Sequence, residues 1–259
     1  KDLCNLLSQK YNVIGLQRKK SSSNNFETIN HDFKDELRLN NKIDYIINCI
    51  VTHDFSKKKE IKDYVNSNII SAINTVNFSR KKNINLIINL SSVSIFQNLN
   101  KKVLDESVIP NSDEFLGLTK LMGEKIFDSF DQRSINLRLP GILCEKFDYE
   151  RPWLNSIIQK IKNNKDIVIY DGDRKFNNLI STSQIYKFID YLIANQIYKS
   201  GAYNFSASNP IKLYNVVDLI KKHFNSKSKV VNNKINKSFI ISTKKIENDF
   251  EYKIDNVSN

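Results

Sequence analysis

The chain has 259 residues, 40% of them apolar and 26% charged, which is enough to fill one large core or two joined ones and excludes wholesale disorder. Lys and Arg outnumber Asp and Glu by 40 to 28, a net charge of +12 that raises nucleic acid or an anionic membrane as partners. The lysines are scattered among asparagines and isoleucines, and the runs at 57–59 and 80–82 fall where solvated helix ends belong. A solvated surface is therefore favoured over a polyanion site.

The first elements follow from apolar spacing. Leu3, Leu6 and Leu7 share a helix face and lead through Tyr11 into a strand at 12–16, NVIGL. With no capping residue ahead of this helix, the expectation is a fragment of a longer chain. A polar gap at 19–25 precedes a short strand at 26–29. Residues 34–39 read as a helix that Asp32 would cap. The unalternating run at 45–51, YIINCIV, suits a strand buried on both faces of a parallel sheet. A long helix is expected at 57–80, with Ile61, Val65, Ile69, Ala72, Ile73 and Val76 on its inner side. Another unalternating strand at 85–90, a helix carrying Lys120 at 113–129, and a strand at 134–139 stopping at Pro140-Gly141 complete the first part.

Beyond Gly141 the pattern changes. A helix at 153–162, a strand at 166–170 with the turn Asp171-Gly172-Asp173, a helix at 184–195, a strand at 202–205 and a helix at 213–223 are expected. The remaining C-terminal residues are weakly patterned. Strands and helices alternating at this spacing argue an α/β fold with a doubly wound parallel sheet and a smaller second lobe. Ligands of such sheets bind at strand carboxyl ends, here Gln17-Arg18, Asp32, Val51, Ser91-Ser92 and Pro140-Gly141. Cys4, Cys49 and Cys144 lie far apart, and His31, His53 and His223 are isolated, which fits a reducing cytoplasm and no metal site. No apolar run reaches the length of a membrane span.

DYIINCIV at 44–51, NSNIISAINTVNFSRKKNINLIINLSSVSIF at 66–96, LRLPGILC at 137–144 and GAYNFSASNPIKLYNVVDLI at 201–220 resemble, in order and spacing, the extended short-chain dehydrogenases/reductases. These are the NAD-dependent epimerase/dehydratase family of nucleotide-sugar enzymes. The resemblance implies a Rossmann-like NAD(P)-binding domain over 1–143 and 176–196, and a substrate lobe over 144–175 and 197–259. The family's opening strand and glycine-rich loop have no counterpart here, Lys1 standing just beyond the position of the last glycine. Weak cofactor affinity and reduced stability are the expectation for the sequence as it stands. By the resemblance, Gln17, Arg18, Lys19, Asp32, Phe33, Cys49, Ile50, Val51, Asn68, Leu90, Ser91, Lys120, Pro140, Gly141 and Ile142 contact the dinucleotide. Gln17 followed by three cations favours NADP over NAD, since arginine grips phosphate with a fork; a charged turn facing solvent is the equal alternative. Asp32 matches a position that hydrogen-bonds adenine, or is a plain turn residue.

The family's chemistry uses a serine, a tyrosine and a lysine, the last two as Y-x-x-x-K. Residues i and i+4 share a helix face, so the ammonium lowers the phenol's pKa while holding the nicotinamide ribose. Ser92 matches the serine, Lys120 the lysine and Ser94 a position that often touches substrate, but the tyrosine position holds Leu116. Thr119 and Ser94 are the conceivable substitutes for the lost proton donor. DGDRKFNNLISTSQIYKFI at 171–189 resembles the segment that crosses the substrate diphosphate and sugar. It departs from the family at Phe176-Asn177-Asn178 and 181–184, leaving Arg174 or Lys175 for phosphate and Asn178 for sugar. The implied protein is a cytoplasmic nucleotide-sugar epimerase, dehydratase or reductase of surface-polysaccharide synthesis with impaired catalysis. It would dimerise through the helices at 57–80 and 113–129. The rival is a non-catalytic dinucleotide-binding regulatory or scaffold protein of the same fold. An RNA-associated member, suggested by charge alone, stands third.

Overall fold

The computed structural model describes residues 1–18, 25–52, 59–97, 102–130, 133–144, 153–235 and 239–258. In chain order they form α1 (Asp2–Leu7), β1 (Ile14–Gln17), β2 (Glu27–Asn30), β3 (Tyr45–Asn48), α2 (Ile61–Tyr64), a π-helical segment (Val65–Ile70), α3 (Ser71–Lys82), β4 (Leu86–Ser92), a 3₁₀ turn (Val93–Ile95), β5 (Val103–Leu104), α4 (Phe115–Asp128), β6 (Ser134–Leu139) and β7 (Gly141–Leu143). There follow α5 (Trp153–Lys162), β8 (Ile167–Tyr170), β9 (Lys175–Phe176), β10 (Leu179–Ser181), α6 (Thr182–Ala194), β11 (Gly201–Asn204), β12 (Ile211–Lys212), α7 (Leu213–His223), β13 (Val230–Asn233), β14 (Ile240–Ile241) and α8 (Lys244–Phe250). Contacts divide the chain into two compact units. One holds Lys1–Gln97, Ile109–Arg138 and Tyr186–Tyr203; the other holds Asn98–Val108, Leu139–Ile185 and Asn204–Asn259.

In the first unit a four-stranded sheet runs in the order β11-β6-β4-β3, with β3 parallel to β4 from Tyr45↔Leu86 to Asn48↔Asn89. β1 and β2 make a separate parallel pair from Ile14↔Glu27 to Gln17↔Asn30. This is the α/β, parallel-strand architecture expected from the alternation of elements. The apolar run of β4 has its reason in burial, Ile87 packing with Ala72, Val76, Phe78, Phe127 and Phe130, and β6 is buried throughout. The run at 45–51, expected to be buried on both faces, instead gives a shorter β3 whose Tyr45, Ile46 and Ile47 are half-buried. The second unit has its own core of Leu154, Ile158, Ile161, Ile167, Ile169 and Val217. Its small sheets include the parallel pairs β8–β13 and β7–β10.

Three further expectations are corrected. The helix at 57–80 is interrupted: α2 passes through a π turn into α3, and residues 57 and 58 lie outside the described ones. The wider turn rotates Ile61 and Ile73 outward and brings Ser67, Asn68, Ser71, Thr75 and Ser79 inside. These hydroxyls are tolerated because each bonds a carbonyl one turn back: Ser67 to Asp63 (2.7 Å), Ser71 to Ser67, Thr75 to Ser71 (2.7 Å) and Ser79 to Thr75 (2.7 Å). No helix forms at 34–39. The Asn74 amide of α3 donates to the carbonyls of Phe33, Lys34 and Asp35, the acceptors a helix would have used, and Asp32 instead accepts from the Lys34 amide (3.3 Å) as a turn. The weakly patterned C-terminus carries β13, β14 and α8, whose strands pair with the distant β8 and β5.

A polar ladder crosses the sheet inside this apolar setting. The Asn48 amide donates to Asn89 (2.8 Å), Asn89 to Asn136 (2.7 Å), and Asn136 to Asp128 (2.8 Å) at the end of α4. All three asparagines are buried, so each rung satisfies groups that water cannot reach. Asn89→Ala strands one donor and one acceptor at once, and is expected to lower unfolding free energy in urea by roughly 2–4 kcal/mol.

Candidate active site

The centre of the first unit's chemistry is where β4 ends and α4 begins. Ser92 opens the 3₁₀ turn, its Oγ accepting from the Ser94 amide (3.1 Å). Ser91 points the other way and donates to Glu124 (2.5 Å). Gly117, in the first turn of α4, makes a close approach to this turn. A Cβ there would fall 2.2 Å from Ser112 Oγ and 2.3 Å from the Ser94 carbonyl oxygen. Glycine thus lets α4 seat directly on the serine turn, and Gly123 does the same one and a half turns later, where a Cβ would lie 2.9 Å from the Asn68 carbonyl.

That seating carries Lys120 inside. It is 5% exposed, and its Nζ donates to the carbonyls of Leu90 (2.9 Å) and Ile50 (3.1 Å), bridging the ends of β4 and β3. Burial lowers its pKa to about 8, against the pull of Cys49 and Glu124. Leu116 stands one turn earlier on α4, half-buried, with no proton to give. Of the two substitutes considered, Thr119 is spent: its Oγ1 donates to the Phe115 carbonyl (2.6 Å) and accepts from the Asn68 amide (2.9 Å). Ser94 Oγ is buried without a partner among the described residues.

The structure therefore brings together Ile50, Asn68, Leu90, Ser91, Ser92, Ser94 and Lys120, with Cys49 and Val51 flanking Ile50 in the chain. A second group gathers at the ends of β1 and β2. Gln17 Nε2 is buried without a partner among the described residues, and Arg18 and Asp32 are exposed. The Asp32 carboxyl lies below the usual range because the Lys34 amide, its ammonium at 3.2 Å and the Arg18 charge favour the anion. Lys19 and His53 lie outside the described residues. In the second unit Pro140 leads into β7, whose Gly141 and Ile142 pair with Leu179 and Ile180 of β10. Burial lowers the Arg174 pKa against the attraction of Asp171, Asn178 Oδ1 is buried without a partner among the described residues, and neighbouring Asn177 is consumed in ties to Ala207 and Ile241. Among the described residues no cluster of His, Cys, Asp or Glu could hold a metal ion, and no helix is long and apolar enough to cross a membrane.

Two residues that sequence reasoning passed over are Glu124 and Arg138. Glu124 sits at i+4 from Lys120, on the same face of α4, and that spacing was the available signal. Arg138 lies in the LRLPG strand, whose only cation is a departure from its apolar run.

Two outcomes follow from this geometry. Gly117→Ala is expected to destabilise by about 1–3 kcal/mol or more, since backbone and a buried hydroxyl must give way; a urea titration measures it. Lys120 binds its proton more weakly folded (pKa about 8) than at its ordinary value of 10.5, so between these pH values the unfolded state holds more protons and stability rises with pH. Relative to Lys120→Met, the wild type is expected to gain on the order of 3 kcal/mol in unfolding free energy between about pH 7.5 and 10.5.

The comparisons with known proteins bear on the same fold. The ADP-L-glycero-D-manno-heptose-6-epimerase of Helicobacter pylori superposes with a TM-score of 0.81 at 16% identity, over 99% of this chain and 88% of its own. The UDP-glucuronic acid 4-epimerase of Bacillus cereus, solved in complex with NAD, gives 0.77 at 16% identity over 99% and 90%. A hypothetical dTDP-4-dehydrorhamnose reductase of Sulfolobus tokodaii gives 0.75 at 21% identity over 95% and 89%. No curated protein matches. The model of the NAD dependent epimerase/dehydratase family matches residues 2–204, and the chain belongs to that family.

Proposed function

We propose that the protein is a nicotinamide-dinucleotide-dependent enzyme of nucleotide-sugar chemistry, an epimerase, dehydratase or reductase, whose proton transfer is weakened by Leu116. The observation that carries this reading is the buried Lys120 ammonium at the ends of β3 and β4, one turn after residue 116 and beside the serine turn. Family membership and the sugar-nucleotide enzymes among the similar structures support the substrate class. A role in surface-polysaccharide synthesis in the cytoplasm belongs to the same reading.

The residues present fit a dinucleotide at two of its three parts. Lys120 and Ser92 suit the nicotinamide ribose and the substrate oxygen, and Asn68 Oδ1 and Gln17 Nε2, buried without partners among the described residues, are polar atoms a ligand could satisfy. Arg18 beside Asp32 suits a ribose phosphate and adenine, which favours NADP. For the pyrophosphate this sequence has no glycine-rich loop. In this reading the NAD(P)-binding domain covers 1–143 and 176–196, and the remainder, with Arg174 and Asn178, takes substrate. When bound, the nicotinamide supplies hydride transfer. Ser92 orients the reacting oxygen, Lys120 fixes the ribose, and the proton falls to Ser94 or the substrate itself at a rate lower by about 10²–10⁴.

Exposed apolar side chains on the outer faces of two helices support a homodimer. Phe115, Leu118 and Met122 on α4 lie at helical spacing, and Ile61 joins Phe115 around a hollow of about 600 Å³. The non-catalytic dinucleotide binder remains the second reading, favoured by the commitment of Thr119 to its own helix.

NADPH fluorescence followed by turnover of a nucleotide-sugar panel, with wild type beside Leu116→Tyr, tests the proposal. Slow wild-type turnover raised at least tenfold by tyrosine is the expected result. Binding with no turnover in either protein supports the second reading, and absence of binding in both even at NADPH concentrations high enough to detect weak affinity overturns the two together.

A further inference from the structure

Three charged side chains are buried side by side in the first unit, and the proposed chemistry uses one of them. Lys120 and Glu124 share a face of α4, with 5% and 1% of their surface exposed, and Arg138 of β6 is 7% exposed. Glu124 Oε1 accepts from Ser91 Oγ (2.5 Å) and Arg138 Nε (3.1 Å), and Oε2 accepts from Arg138 Nη2 (2.9 Å). The Arg138 guanidinium in turn lies over the Phe96 ring, 5.4 Å from its centroid. We propose that Glu124 and Arg138 are a positioning unit, which clamps the Lys120 face of α4 to the ends of β4 and β6 and so fixes Lys120 and the Ser91-Ser92 turn together.

The physical case is one of cost and geometry. An apolar trio of similar volume would hold the helix at least as firmly as buried ions, so plain packing does not call for this arrangement. A two-pronged arginine–carboxylate pair supplies direction, fixing both partners in plane and distance. It also supplies charge. The groups facing the Lys120 ammonium are Glu124 on its own helix, Cys49 beyond β3 and the Ile50 and Leu90 carbonyls; Arg138 reaches it through Glu124. Burial pushes Lys120 toward its neutral form and the Glu124 carboxylate opposes that push. The ammonium that would hold a ribose is thus maintained by a residue that touches neither cofactor nor substrate.

This inference rests on the reading of Lys120 as a cofactor contact, and the test separates the two. The protein labelled with ¹³C at lysine Cε is titrated by NMR without cofactor, the Lys120 signal being assigned by its loss in Lys120→Met. In Glu124→Gln the Lys120 midpoint is expected to move down by about one pH unit or more, with NADPH affinity at neutral pH falling by about twofold or more as the protonated fraction drops. Because that variant leaves Arg138 buried without its partner, the apolar pair Glu124→Leu with Arg138→Met is measured beside it and is expected to shift the midpoint the same way. A midpoint unchanged in a folded variant overturns the inference, as does failure of both variants to fold. Unaltered NADPH affinity in Lys120→Met overturns the cofactor reading instead, and leaves the titration result standing.

Discussion

Burial of the Lys120 ammonium is the constraint around which the first unit is arranged. A cation removed from water needs acceptors on every side, and here they are the carbonyls where β3 and β4 stop. The Leu90 carbonyl lies one residue beyond the last β3–β4 pair and Ile50 two residues beyond β3, so the lysine marks the place where this pairing stops. Reaching that place requires α4 to lie close to the strands, which is why Gly117 and Gly123 stand where any Cβ would collide. The lowered pKa of the lysine follows from the same burial.

The facing helix makes the same accommodation by another route. Its inner surface from Ser67 to Ser79 is built of small hydroxyl residues, each returning its proton to the preceding turn. Small side chains permit close packing, and back-bonding removes the penalty for burying their oxygens. The π turn sets the phase of this surface and brings Asn68 inward, where its amide holds Thr119 of α4. The asparagine ladder does for the sheet what the hydroxyls do for the helix. Much of the unit's interior is therefore polar but paired, and its specificity lies in hydrogen-bond direction as much as in shape.

What was legible in the sequence, and what was not, divides along the range of the interactions. β6, α5 and α7 have the bounds that local apolar spacing predicts, because one contiguous stretch carries the signal. The helix expected at 34–39 failed for a reason forty residues away, the Asn74 amide. The inner side of the 57–80 helix was misread because apolar periodicity assumes an unbroken 3.6-residue turn, and a π segment changes the phase. Ser92 and Lys120, singled out by their match to the serine and lysine positions of the family, lie together where β4 ends and α4 packs against it. Glu124 and Arg138 were not singled out, since a glutamate in an EK pair looks solvated until Ser91 and an arginine from another strand are placed against it. The commitment of Thr119 and the unpartnered state of Ser94 likewise exist only in three dimensions.

Leu116 stands one turn before the buried Lys120, in the setting that the proposed reading takes for a proton-transfer site. A leucine at this place removes the phenol and the hydrogen bonds it would have made, yet the buried lysine, its carbonyl acceptors and the Glu124–Arg138 pair are all present. None of these is the cheapest way to fill a core, for apolar side chains would spare the desolvation of three ions. The binding role proposed for Lys120 would account for them: an ammonium held rigidly at a sheet mouth would organise a polyhydroxylated, anionic ligand whether or not a phenol stood beside it. In the proposed reading, leucine at 116 would separate placement of a ligand by Lys120 from delivery of a proton at residue 116, and only the second would depend on residue 116.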